Sequence, residues 1–448
     1  MNNESTNQPN IFQRFTQWLK ESLIVKLLSI GFIVILLLIP NVMISELIRE
    51  RQHRQDQVKQ EVSQSWGGAQ AIRGPLLSIP YSTWQTWEDG KRTETRHTAW
   101  FLPKKLVVDG DLKHQIRRRS IFDVVLYQAE IKLTGEFEQP DFQALHVNPE
   151  DVHWDEARLS TGISGMTGIK EAVMVQWAGQ ALPMEPGTSA TSFLGNGVSS
   201  EVPVDTDGKT YPFSIPLKLN GSENLSFDPV GKATTVNLRS DWHSPSFEGA
   251  FLPDQREITP NGFTAQWQVL DLNRPYPQQW KDEDVNFGQF ELSVRLIQPV
   301  DEYLKNTRSS KYAILVVGLT FLLYFFFEVL QKLLIHPFQY LLVGLALTVF
   351  YLLLLSLSEH VGFNAAYLVS SVATIVLIAG YSFSVLKIKR LVVQLLLLLV
   401  AIYGFIFILL QLEDYALLAG SAGVFLALAS VMWASRKIDW YNLGERSN

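Results

Sequence analysis

Glu328, Lys332 and His336 stand four residues apart at the end of a long apolar run, a spacing that places all three on one helical face. A carboxylate beside an imidazole could pass a proton or an ion, because burial and neighbouring charges move such groups toward neutral pH. The same spacing also makes an ordinary ion pair that reaches the membrane interface and orients the chain ahead of Pro337. Glu328 lies only a turn from the end of its run, so the ion pair is the favoured reading and the relay the alternative. Glu359 and His360 close the next apolar run and carry the same two readings in the same order. No apolar run has a charge at its centre, which argues against ion-coupled transport.

Other reactive residue types lie in the polar part of the chain. Asp241, Trp242, His243 and Ser244 include the types of a nucleophilic triad, but immediate neighbours cannot supply triad geometry by themselves. They read as a turn beside a strand, with Trp242 and His243 kept as candidate functional residues. His97, His114, His146, His153 and His243 lack metal-ligand spacing, His146 and His153 being seven apart in a loop-like segment. No G-x-S-x-G, H-E-x-x-H or phosphate-loop pattern occurs, so the sequence offers no catalytic, cofactor-binding or metal residues. With no cysteine in 448 residues, disulfides, thiolate metal sites and cysteine nucleophiles are excluded. Arg117, Arg118 and Arg119 follow Lys113 and His114. They could meet anionic headgroups or glycans, against the plainer reading of a solvated strand or turn.

These residues must be positioned by two unlike regions. The formal net charge of -6 and mean hydropathy of +0.08 average an apolar half and a polar half. The central stretch 311–363 holds two charge-free runs joined around Pro337. About 20 apolar residues span a ~30 Å hydrocarbon core, where only a helix satisfies its own backbone, so this stretch is a transmembrane hairpin. A further charge-free run covers 27–45, and three more cover 361–386, 391–412 and 415–435, giving six spans. Segment 11–26 places Ile11, Phe12, Phe15, Trp18, Leu19 and Leu23 on one face and reads as an interfacial amphipathic helix. The run 27–45 exceeds a signal-peptide core and is followed by ELIRERQHRQ without a small-residue cleavage pattern, so it reads as an uncleaved anchor. Good helix formers extend it toward Gln64, where Trp66, Gly67 and Gly68 stop it.

Between about 66 and 305, short alternating runs such as LLSIPYSTW, TTVNLRS and GFTAQWQVLDL are bounded by turn residues. Period-two patterning with β-branched and aromatic residues argues strands, most naturally a sandwich, with room for two sub-domains. LSTGISGMTG (159–168) and PGTSATSFLGNG (186–197) read as long loops. Small residues four apart, Ala416/Gly420, Ala419/Gly423 and Ala366/Ser370, favour close helix packing, and Gln339, Gln394 and Gln411 are placed to bond between helices. Arg14, Lys20, Lys26, Lys332, Lys387, Lys389, Arg390, Arg436 and Lys437 fall on one side, and Glu359, His360, Glu413 and Asp414 on the other. The positive-inside rule puts both termini in the cytoplasm and the β-rich region outside, away from nucleic acid. The expected plan is a cytoplasmic tail (1–26), a first transmembrane helix (27–48), a β-rich outer domain with a helical lead-in (49–310), a five-helix bundle (311–435) and a tail (436–448).

Several stretches together resemble the inner-membrane CreD family, also called cell-envelope integrity proteins. They are RGPLLSIPY (73–81), SDWHSPSFEGAFLP (240–253), GFTAQWQV (262–269) with NRPYPQQW (273–280), and the two runs 299–328 and 336–368. The resemblance implies a multi-pass inner-membrane protein of a Gram-negative bacterium with its large domain in the periplasm. It further implies a tie to envelope stress and to tolerance of colicins and some antibiotics, with expression under a two-component system. It implies no catalytic activity and offers no catalytic residues to carry over. The leading expectation is a non-enzymatic envelope-maintenance protein, held in the lipid bilayer, whose periplasmic domain meets a protein, lipid or glycan partner. A transporter or flippase for a lipid-like molecule is the second expectation, and a membrane sensor working through a partner the third.

Overall fold

The computed structural model describes residues 23–89, 91–281, 289–297, 302–331, 333–412 and 415–436. The amphipathic helix expected before residue 23, Lys332, Glu413, Asp414 and Lys437 lie outside the described residues. Two compact units emerge, one of residues 1–54 and 300–448 and one of residues 55–299.

In the first unit, six helices are long and apolar enough to cross a membrane. Helix α1 (Leu23–Ser65) begins here and buries Ile33, Leu37, Ile44 and Ile48, residues spaced at helical intervals along one stripe. Helices α2 (Glu302–Lys311) and α3 (Ala313–Leu330) are separated only by Tyr312. Then come α4 (Pro337–Val361), α5 (Phe363–Leu386), α6 (Lys389–Gln411) and α7 (Ala416–Ser435). Gly344 on α4 has no side chain because α1 lies there, and a Cβ would overlap Leu37. Gly423 on α7 meets Phe405 of α6 in the same way, so the Ala419/Gly423 spacing marks a true close approach.

Helix α1 runs on to Ser65. Trp66 and Gly68 then fold their N–H groups back to the Ser63 carbonyl at 3.0 and 2.8 Å. Gly67 and Gly68 both adopt positive φ, where a glycine ends a helix without Cβ strain.

The second unit is β-rich. Its strands are β1 (Gln70–Thr86), β2 (Arg92–Phe101), β3 (Lys105–Arg119), β4 (Phe122–Phe137), β5 (Arg158–Ile163), β6 (Met174–Trp177), β7 (Gln180–Pro183) and β8 (Glu185–Pro186). They continue as β9 (Gly197–Glu201), β10 (Tyr211–Ser222), β11 (Asn224–Phe227), β12 (Ala233–Ser240), β13 (Pro245–Gly249), β14 (Gln255–Thr259), β15 (Gly262–Leu270), β16 (Gln279–Lys281) and β17 (Leu292–Leu296). One sheet runs β13-β17-β11-β1-β5-β9-β8 with β2 and β16 branching from β1, and the other runs β14-β15-β12-β3-β4-β10-β6-β7. Alternate residues of both sheets, among them Leu77, Ile79, Tyr127, Ile131, Trp177 and Trp267, enter one hydrophobic cluster.

One expected loop is a strand instead. Residues 158–163 form β5, buried along nearly its whole length between β1 and β9. Its small residues look loop-like in sequence, but they are what the site demands: a Cβ on Gly162 would stand 2.5 Å from the Leu194 carbonyl oxygen. The stretch 186–197, also expected as a loop, contains a short helical turn at Thr191–Leu194.

Candidate functional site

The expected shared helical face of Glu328 and His336 does not form. Helix α3 ends at Leu330, and His336 sits at φ -76, ψ 139 as the N-cap of α4. A residue before proline is pushed out of the helical region by the proline ring, which breaks the i,i+4 register. The exposed His336 closes a reciprocal cap: its Nδ1 accepts from the Phe338 N–H at 3.2 Å, and its own N–H donates to Gln339 Oε1 at 3.1 Å.

Glu328 finds other partners. It is 4% exposed, and Lys26 Nζ of α1 lies 2.7 Å from its Oε1. Tyr340 of α4 donates its hydroxyl to Oε2 at 3.0 Å, and the Ile335 N–H points to Oε1 at 3.4 Å. Beyond Tyr340, the Tyr324 ring lies at 5.8 Å, and its hydroxyl is bonded to that of Ser382.

Glu359 repeats the arrangement at the far end of α4. It accepts from the Tyr303 hydroxyl at 2.8 Å and faces Arg51 Nε of α1 at 3.9 Å. His360, one residue on, turns outward and bonds the Ser356 carbonyl at 3.1 Å. Each carboxylate therefore has a cation from α1 and a tyrosine hydroxyl from a neighbouring helix. Lys26 and Arg51 are about 38 Å apart along α1 at 1.5 Å per residue, longer than the ~30 Å hydrocarbon core. Both pairs thus belong at the two interfaces, where ionised groups are tolerated.

In the β unit, two of the sequence signatures meet on residues 228–231. Arg73 Nε, from RGPLLSIPY, stands 3.7 Å from the buried Asp228 Oδ2. Arg274, from NRPYPQQW, donates to the carbonyls of Val230 and Gly231 at 2.9 and 3.2 Å and to that of Tyr276 at 2.8 Å. Tyr276 donates to the Pro229 carbonyl at 3.2 Å. Burial pushes the Asp228 carboxyl up to about 7, with the Arg73 charge opposing the rise.

Asp241, Trp242 and His243 do not converge as a triad. Asp241 Oδ1 accepts both the ring Nδ1 and the backbone N–H of His114, at 2.7 and 2.9 Å. Burial disfavours the Asp241 charge, but these bonds outweigh it and hold the carboxyl below its usual range. Trp242 is buried, and its indole N–H is shared between the carbonyls of Ser244 and Ile297 at 3.0 and 3.1 Å. His243 is exposed with its ring against Trp242. His153 Nε2 bonds the Ser82 hydroxyl at 2.8 Å. Among the described residues no group of three His, Asp or Glu side chains is arranged to hold a metal ion.

The basic run is partnered as well as solvated. The Arg117 guanidinium lies 3.7 Å from the centre of the Trp66 ring, and Arg119 pairs with Glu61 at 3.0 Å. An open cleft of about 980 Å³ lies on the eight-stranded sheet. Strand register lines up Glu257, Thr264, Arg239, Asp111, Glu130 and Lys218 across it. Arg239 pairs with Asp111 at 2.7 Å, and Glu130, opposite Asp111 on β4, has Lys218 opposite it on β10, so the two acids stand side by side between two cations. Sequence reading missed both the cleft and the His114–Asp241 pair. Each depends on the parallel pairing of β3 with β12, which joins strands far apart in sequence.

The family described as "Inner membrane protein CreD" matches residues 22–441. The chain is 35% identical over 431 residues to Inner membrane protein CreD of Escherichia coli (strain K12), covering 94% of this chain and 95% of that one. Among solved structures, an M1 zinc metallopeptidase mutant from Deinococcus radiodurans with bound Tyr-Ser-Ala substrate matches at 10% identity and a TM-score of 0.22. It covers 43% of this chain and 42% of that chain. A two-domain M1 zinc metallopeptidase mutant bound to L-arginine matches at 9% identity and a TM-score of 0.21, over the same shares. Likeness at that level bears on neither fold nor chemistry.

Proposed function

The chain belongs to the CreD family of inner membrane proteins, and on that footing we propose a non-enzymatic envelope-maintenance protein whose β unit stands in the periplasm and engages a partner through the eight-stranded sheet. The supporting observation is the cleft of about 980 Å³, with its row of charged side chains and its opposed Asp111 and Glu130. A partner presenting a cation or a row of hydrogen-bond donors there would meet these two acids side by side. A polar segment of an envelope protein fits this chemistry better than an acyl chain does. The periplasmic placement draws support from basic residues at one end of the spans: Lys26 near the start of α1, Lys387, Lys389 and Arg390 between α5 and α6, and Arg436 after α7. Cytoplasmic loops carry such an excess.

The test is photocrosslinking in intact cells from single positions in the cleft, Thr264 and Gln266, with Thr93 on the other sheet as control. One dominant protein adduct from the cleft positions, absent at Thr93, is the expected result. Lipid or glycan adducts, or equal labelling from all three positions, would overturn the reading.

A further inference from the structure

Trp84 is 53% exposed on the hairpin of β1 and β2, yet its ring is held in place. Its indole N–H donates to Asp151 Oδ1 at 3.1 Å, and Asn148 Nδ2 donates to the other oxygen of that carboxylate at 3.3 Å. Segment 148–156 is itself fixed along β1 by the Tyr81–Val152 bridge and by the His153 N–H, which donates to the Pro80 carbonyl at 2.9 Å. With the indole N–H capped, the π-face is what the ring offers a ligand, and an immobilised ring loses little entropy on binding.

The groups beside the ring are held as well. Directly paired residues of neighbouring strands share a face of the sheet. Glu94 is paired with Trp84, and Arg96 with Ser82. Ser82 donates its hydroxyl to Glu94 Oε1, so its oxygen accepts from His153 Nε2 at 2.8 Å. Arg96 makes a two-pronged pair with Glu156 at 3.0 and 3.2 Å, a geometry that fixes the guanidinium plane.

These neighbours select the ligand. Ser82, Thr86, Arg92, Glu94 and Arg96, which β1 and β2 place around Trp84 on this face, are all polar. An acyl chain or an apolar side chain laid there would desolvate them without return. Glu94, Asp151 and Glu156 outnumber Arg92 and Arg96, which leaves no positive excess for a phosphate or a carboxylate to meet. What fits is an uncharged ring with a C–H face for the indole and hydroxyls at its rim that both donate and accept.

We propose that Trp84 is the stacking platform of a site for a neutral carbohydrate chain, with Glu94 and Arg96 bonding the hydroxyls of the stacked sugar. The site lies on the other sheet from the cleft, and the two readings stand or fall separately.

The experiment is saturation-transfer NMR on the full-length protein in phospholipid nanodiscs, with cellotetraose and N-acetylchitotetraose as neutral probes and tetragalacturonate as the anionic one. At least one neutral probe should receive transfer at its ring C–H protons, and tetragalacturonate should receive little. Trp84→Ala should weaken binding by about 10-fold or more, and Glu94→Gln by about 5-fold, the worth of one hydrogen bond. Trp87→Ala is the control: Trp87 is 55% exposed, but its N–H bonds Thr93 at 3.1 Å on the opposite face of the hairpin, and its loss should change nothing. Should Trp84→Ala not fold, unchanged binding by Glu94→Gln would sink the proposal equally. No transfer to either neutral probe, equal transfer to tetragalacturonate, transfer that survives Trp84→Ala, or an equal loss in Trp87→Ala would each overturn it.

Discussion

Lys26 Nζ lies 2.7 Å from Glu328 Oε1 in a pocket where the carboxylate is 4% exposed. Removing one member of a buried pair costs more than removing both, because it strands a charge. Lys26→Met should therefore destabilise the full-length protein by about 3 kcal/mol, while Lys26→Met combined with Glu328→Gln should recover a large part of that loss. Thermal unfolding in detergent across the double-mutant cycle measures it. Additive losses would mean that the pair is not coupled.

Asp228 gives the β unit a pH dependence of unusual sign. Between 3.8 and about 7 the folded protein keeps the proton that the unfolded chain has released. Stability should therefore fall as pH rises through this window and stay low above it, by up to about 4 kcal/mol. Asp228→Asn should flatten the decline. Unfolding followed by tryptophan fluorescence from pH 4 to pH 8 tests this, and an unchanged slope in the variant would assign it to another group.

Trp242 packs as core and also bridges two backbone carbonyls. Trp242→Phe keeps an aromatic ring but takes the indole donor from both carbonyls, of which that of Ser244 still accepts from the Ile297 N–H at 3.2 Å, a loss of about 1–2 kcal/mol. His243→Ala, at an exposed position, should stay within about 0.5 kcal/mol. Comparable effects from the two would show that the indole N–H is not what matters.

The two partnered arginines of the basic run should differ. Arg119 and Glu61 are both more than half exposed, so Arg119→Ala should cost at most about 0.5 kcal/mol. Arg117 covers the Trp66 ring, and Arg117→Ala should cost about 1 kcal/mol. Hydrogen exchange of residues 55–66 should rise in the second variant and hardly change in the first.

Gly162→Ala tests the buried strand β5. The added methyl would press on the Leu194 carbonyl, and overpacking of this kind costs about 1–3 kcal/mol. A neutral result would show that the turn at Thr191–Leu194 yields easily.

What could be read in advance followed from local rules. Charge-free length located the spans, and Gly67 with Gly68 located the end of α1, because helix length and helix termination depend on neighbouring residues. The 158–163 strand escaped because small residues signal a loop locally and a tight inter-strand fit only in context. The turn around Pro337 was legible, but His336 escaped because its spacing of four from Lys332 and eight from Glu328 suggested a helix continuing into that turn. Lys26, assigned to an interfacial segment, gained its partner from a helix about 300 residues later.

That separation sets an order of events. At about 5–20 residues per second, α1 would wait some 15–60 s after its own synthesis before Glu328, and then Glu359, is made. Lys26 and Arg51 can spend the interval reaching for water at the two faces of the bilayer. The carboxylates, which the finished bundle buries, are made last and meet cations already in place. Assembly in this order never leaves either acid without a counter-charge, whereas a chain with the charges exchanged would expose its carboxylates first.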